Sequence, residues 1–284
     1  MDNRIPMIII LLFILIPIII LIINKDYMLF AGSYKKQNTE IQYEKYNHTY
    51  KITDDRSINY FYFDDFADEG KSGKTILFCH GNSHNIFEHL MMVSILKAAK
   101  INFVMFDYEG YGLSKGKPSH MSIREDGLII YDLISKNTNN IIVIGHSLGG
   151  FIATTIASQR DCKKLILLST FSSLDDLSKN KIFYMVASAF VESITNTMSN
   201  KNIITKVKCP VLIIHSVNDT VVPFSCAVNI YNNCKTEKTI AVIDGDHSKP
   251  VLNKYALSIL LDFLEVNNKY ELIKTIFKIN QLYN

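Results

Sequence analysis

The chain of 284 residues is 48% hydrophobic and 20% charged, with a formal net charge of +3. That composition excludes a disordered chain, which has too little apolar surface to bury. The small charge is spread along the sequence, which excludes the clustered basic face of a nucleic-acid binder.

Every residue from 5 to 23 is apolar, Pro6 and Pro17 included, between Asp2, Asn3 and Arg4 on one side and Asn24, Lys25 and Asp26 on the other. At a helical rise of 1.5 Å these residues make roughly 28 Å, close to the hydrocarbon thickness of a bilayer. A secretory signal has a shorter apolar centre of about 7–15 residues. Residues 1–24 are therefore expected as an N-terminal transmembrane helix, 25–40 as a linker and 41–284 as the folded domain. Lys25, Lys35 and Lys36 outnumber Arg4, which leans toward a cytoplasmic domain. If the domain is instead lumenal, the sequon at Asn47 is the one expected to carry a glycan.

Two segments of strand character follow, 41–52 and 58–63, joined by the polar turn Asp54-Asp55-Arg56-Ser57. They read as a hairpin. From there short apolar runs alternate with helical lengths. The runs are 75–79, 102–107, 141–145, 164–169, 211–215 and 239–243; the helical stretches are 86–100, 123–136, 148–159, 225–233 and 251–265. Strands that are apolar throughout are buried on both faces. The alternation predicts an α/β fold, a mostly parallel central sheet with helices on both faces. The long gap at 171–202 holds an amphipathic stretch, 182–198, expected as a small helical lid. Lys269, Lys274 and Lys278 read as a solvated helix face.

The sequence Gly145-His146-Ser147-Leu148-Gly149 follows one apolar run and opens a helical stretch. This strand–turn–helix setting makes a G-x-S-x-G motif a nucleophile elbow. A serine hydroxyl is a poor nucleophile at neutral pH and needs an adjacent base. Asp219 and His247 each follow a strand, and they come in the order Ser, Asp, His. His247 would take the Ser147 proton while Asp219 fixes its tautomer. Asp219 could instead cap the helix after Pro223, and Asp244 and Asp246 are rival acids. The oxyanion donors are expected to be the backbone N–H groups of Leu148 and of Asn82. His80 is assigned to bracing the Asn82 loop. Cys79, Cys162, Cys209, Cys226 and Cys234 show no zinc spacing, and Cys79 reads as a core residue. No ligand cluster, P-loop or dinucleotide fingerprint is present, so no metal or cofactor is implied.

With His80-Gly81-Asn82, the run from Asp107 through Gly110-Tyr111-Gly112 to Ser119, the Ser147 elbow and the Asp219/His247 pair assembled, the chain from about residue 58 to 265 resembles the α/β-hydrolase superfamily. It is most similar to the Bem46-like serine hydrolases. The resemblance implies hydrolysis of an ester, thioester or amide on a small-molecule or lipid acyl substrate. Acyl transfer and non-catalytic binding are the alternatives. The chain departs from the pattern at three places. Glu109 stands where relatives often carry Arg, so an ion pair is expected to be lost or reversed. Ser216 replaces a Gly. Asp246 places a negative charge directly before His247.

Overall fold

A computed structural model describes residues 30, 44–66, 73–82, 85–178 and 198–282. The expected transmembrane helix lies outside these residues. Among the described residues no helix is long and apolar enough to cross a membrane.

The eight described strands are β1 (Asn47–Lys51), β2 (Ser57–Phe63), β3 (Thr75–Cys79), β4 (Asn102–Phe106), β5 (Ile141–His146), β6 (Lys164–Leu168), β7 (Val211–Ser216) and β8 (Lys238–Ile243). They form one sheet in the order β1-β2-β4-β3-β5-β6-β7-β8. The first two strands pair antiparallel as a hairpin, and β3 to β8 run parallel. The first strand is shorter than the aromatic run suggested. Glu44–Tyr46 forms a 3₁₀ turn, and β1 begins at Asn47.

The described helices are α1 (Leu90–Ala98), α2 (Ser122–Ile134), α3 (Leu148–Gln159), α4 (Leu174–Ser178), α5 (Asn200–Ile203), α6 (Phe224–Asn233), α7 (Lys254–Phe263) and α8 (Lys269–Leu282). Two packed clusters lie on opposite sheet faces because side chains alternate along each strand. Leu77, Val143, Leu165 and Ile213 pack with α2, α3 and α6. Ile76, Ile144, Leu168 and Leu212 pack with α1, α7 and α8. Each such side chain, fully buried, contributes about 1.5–3 kcal/mol. Phe30, ahead of the domain, is also fully buried in the first cluster.

Two expected helices begin differently. Residues 251–252 belong to a 3₁₀ turn, Pro250–Leu252, and α7 starts after Asn253, whose side chain accepts from the Tyr255 and Ala256 amides. An N-cap that satisfies two otherwise orphaned donors decides the boundary. Similarly, Ile86–His89 is a 3₁₀ turn ahead of α1. Of the expected lid, α4 and α5 are described at its two ends; residues 179–197 lie outside the described residues.

Of the two outcomes expected at Glu109, a pair lost or reversed, the structure has the reversed pair: Glu109 supplies the anion and Arg56, in the hairpin turn, the cation. Arg56 pairs with Glu109 at 2.7 Å, Glu125 at 2.7 Å and Asp126 at 2.9 Å. The cluster bolts the hairpin to the start of α2. Burial raises the Asp126 carboxyl to about 6 despite Arg56. An unfolded aspartate ionises near 4, so this group costs stability as pH rises from about 4 to 6. Arg56→Ala would leave buried carboxylates without their cation, a loss on the order of 3–5 kcal/mol at pH 8. The loss should shrink at pH 5, where Asp126 takes up a proton. Urea denaturation at both pH values checks this; equal losses would contradict it.

Candidate active site

The strand order reverses at β3, since β4 lies on one side of it and β5 on the other. Such a switch point leaves a crevice at the carboxyl ends of the two flanking strands. The loop His80–Asn82 leaves β3 into this crevice, and Ser147 leaves β5 into it.

Ser147 occupies φ +52°, ψ −116°, strained for a residue with a side chain. Its neighbours hold the turn: the Ser147 amide donates to Leu168 O (2.9 Å), and Thr170 Oγ1 donates to Ser147 O (2.7 Å). A Cβ on Gly149 would run into the carbonyls of Cys79 and His80. The helix start and the end of β3 therefore touch backbone to backbone. Leu148 is the first residue of α3, where amides lack intrahelical acceptors.

The structure brings Ser147, His247 and Asp219 together. Ser147 Oγ lies 3.0 Å from His247 Nε2, and His247 Nδ1 lies 2.8 Å from Asp219 Oδ2. Asp219 Oδ1 also accepts from the Val221 (2.9 Å) and Val222 (2.7 Å) amides. Burial would raise this carboxyl, but the bonds from His247 and the two amides outweigh it and hold it below the usual carboxylate range. An ionised Asp219 can only accept, so Nδ1 carries the proton and Nε2 is left to accept from the serine hydroxyl.

The rival acids are occupied elsewhere. Asp244 accepts from Asn218 Nδ2 at 2.5 Å. Asp246 accepts from the Ser248 amide and hydroxyl and from the Lys249 amide. Ser216, in place of a glycine, donates to Gly245 O at 2.6 Å and accepts from the Asn218 amide. It stitches the Asp219 loop to the His247 loop.

Across the crevice, a Cβ on Gly81 would lie 3.5 Å from Ser147 Cβ. Asn82 follows directly, and its side-chain oxygen accepts from the Tyr111 hydroxyl at 2.5 Å. Tyr108 OH donates to His80 O at 2.6 Å. The His80 ring stacks on Tyr108 with centroids 4.1 Å apart, and its Nδ1 donates to Gly81 O at 2.7 Å. Burial lowers His80 to about 4, so the ring is neutral and braces the loop. Asp107 holds the far end of the same loop through the Ile86 amide (2.9 Å), and burial raises its carboxyl to about 7.

Sequence reasoning assigned no role to His146, Thr170, Tyr108 or Tyr111. His146 Nε2 donates to the backbone oxygen of His247 at 3.0 Å, tying the elbow to the His247 loop. Burial lowers His146 to about 4, which keeps it neutral. It occupies the variable position of the motif, so no residue-type signal marks it. Cys79 is fully buried in β3, where burial pushes its thiol up. Cys162 and Cys209, far apart in sequence, bring their Sγ atoms to 3.3 Å on the loops before β6 and β7. No group of three or more metal-ligating side chains occurs among the described residues.

A family model described as serine aminopeptidase, S33 matches residues 70–202, which hold the Gly81 loop and the Ser147 elbow. The chain has the α/β-hydrolase fold. It is 31% identical over 182 residues to the uncharacterized protein YfhR of Escherichia coli O157:H7, covering 61% of this chain and 62% of that one. It is 30% identical over 190 residues to the lysophosphatidylserine lipase ABHD12 of Danio rerio, covering 60% and 49%. The chain thus spans less than two thirds of these relatives' length. The fold is similar to that of the Pyrococcus furiosus esterase Pf2001, with a TM-score of 0.64 and 21% identity over 81% of this chain and 94% of that one.

The strained turn of this hydrolase fold makes a prediction. Ser147→Gly removes a side chain from positive φ and should be more stable than Ser147→Ala by about 1 kcal/mol. Chemical denaturation of the two variants measures the difference; an alanine variant of equal or greater stability would count against strain at this residue.

Proposed function

We propose that the chain is a serine hydrolase that cleaves acyl esters or thioesters through an acyl-enzyme on Ser147. The observation that carries the reading is the unbroken line of hydrogen bonds from Ser147 through His247 to Asp219, at 3.0 and 2.8 Å. In the first half-reaction the Ser147 oxygen attacks the acyl carbon while its proton passes to His247 Nε2. The N–H groups of Leu148 and Asn82 receive the charge that develops on the carbonyl oxygen. Collapse breaks the bond to the alcohol or thiol, which leaves with the proton from His247. Water then enters by the same route in reverse and releases the acid. Asp219 holds the imidazole in the required tautomer and steadies the imidazolium without taking its proton.

An esterase of similar fold and a lipase relative support oxygen or sulfur esters of a lipid or small molecule as the substrate class. The residues Asp107 to Ser119 support a place in the Bem46-like group. The apolar run 5–23 supports an N-terminal anchor, and the lysines after it support a cytoplasmic domain.

A fluorophosphonate probe should label the wild-type protein and fail to label Ser147→Ala and His247→Ala. Ester turnover should fall on the order of 10⁴–10⁶ in each, with the double variant little worse. Undiminished turnover in Ser147→Ala would end the proposal. A gentler change tests the oxyanion side. Tyr111→Phe removes the hydroxyl that donates to the Asn82 side chain and should lower kcat on the order of tenfold with KM little changed, short of the 10²–10³ of losing a donor outright. Steady-state kinetics on one ester separates the two parameters.

A further inference from the structure

The large exposed hydrophobic side chains are distributed unevenly over the described residues. Five of nine (Leu113, Met121, Val217, Val221 and Tyr255) lie on loops and helix starts at the carboxyl edge of the sheet, each between 49% and 67% exposed. Leu113 and Met121 follow β4, Val217 and Val221 follow β7, and Tyr255 opens α7 after β8. The crevice with Ser147 lies between them, because β4 and β7 flank β3, β5 and β6. Four strand steps separate the two sides, about 19 Å. The opposite edge is charged: Lys74 and Lys164 pair with Glu265, and Lys269 pairs with Asp262.

Single exposed apolar residues are ordinary; a one-sided set around a site marks an interaction surface. The chain itself indicates the occupant. The 19-residue apolar run ends at Ile23, and Phe30, seven residues on, is fully buried in the domain. Seven residues reach at most about 25 Å. A domain on so short a tether stays close to any bilayer that takes up the run.

We propose that the carboxyl edge of the sheet docks on that bilayer, with Leu113, Met121, Val217, Val221 and Tyr255 entering the interfacial layer and the Ser147 crevice facing the lipid. This rests on the anchor reading given above. The exposed Lys115 and Lys117 beside Leu113 suit such a surface, since lysines reach headgroup phosphates while their stems lie along apolar groups. In this geometry an acyl chain enters the site from the membrane, and the released fatty acid returns to it.

The chain has no tryptophan, so a single introduced Trp reports its own depth. Ile14→Trp, Met121→Trp, Val217→Trp and Tyr270→Trp variants of the full chain are reconstituted into phosphatidylcholine vesicles with and without acyl-chain-brominated lipid, and circular dichroism checks their folding. Tyr270, 70% exposed at the start of α8, reports the opposite edge. Met121→Trp and Val217→Trp should be quenched at least about twofold more than Tyr270→Trp, as expected of side chains that enter the acyl boundary. Quenching of Ile14→Trp with none at 121 and 217 would overturn docking and leave the anchor standing. No quenching of Ile14→Trp would remove the anchor and docking together. Equal quenching at 121, 217 and 270 would also overturn the proposed orientation. Fluorophosphonate labelling, read separately, reports on the hydrolase reading alone.

Discussion

The close approach between the start of α3 and the end of β3 is the constraint on which the rest of the structure depends. Only a residue without a Cβ fits at Gly149, because the carbonyls of Cys79 and His80 occupy the space a side chain would need. That contact forces the chain to turn within one residue after β5, and the turn holds Ser147 at positive φ. It also sets the Gly81 loop against the serine. Ser147 and the Gly81 loop, the proposed nucleophile and oxyanion loop, are therefore positioned by a single backbone contact, and a loosened elbow would shift both at once.

Burial then sorts the histidines. His80, His146 and His215 all lie in the interior, and in each burial favours the neutral ring. A neutral imidazole is one donor and one acceptor, so each can serve as a fixed strut. His80 bonds to Gly81 O, His146 to His247 O and His215 to Val222 O. All three acceptors are backbone oxygens on loops that carry the proposed site residues or their neighbours. His247 differs because its two ring nitrogens face a hydroxyl and a carboxylate, the partners needed to accept and stabilise a proton.

Much of the architecture was legible in the sequence, for identifiable reasons. Parallel strands buried on both faces give continuous apolar runs, so β3 to β7 could be located almost to the residue. Ser147, Asp219 and His247 could be named because strand ends and chain order restrict where such groups can meet. The errors fall where local chemistry overrides periodicity. The Asn253 side chain delays α7, which begins only at Lys254. The bracing role of His80 was legible, and those of His146 and Thr170 were not, for another reason. The His146 and Thr170 side chains donate to backbone oxygens, a role that many residue types could fill in principle, so no motif announces them.

The segment from Asp107 to Ser119 shows how one stretch can serve two sides of the molecule. Asp107, Tyr108 and Tyr111 turn toward the loop after β3, holding the Ile86 amide, the His80 carbonyl and the Asn82 side chain. Glu109 turns the other way to Arg56, and its second oxygen accepts from the Lys117 amide at 2.9 Å. The segment is thus a bracket between the edge hairpin and the crevice. Its acidic residue makes sense on that account: with the cation supplied by the turn of the hairpin, an arginine at 109 would face another arginine and the bracket would lose its outer attachment. The antiparallel hairpin, which contributes no proposed site residue, then acts on the site by holding the bracket that holds Asn82.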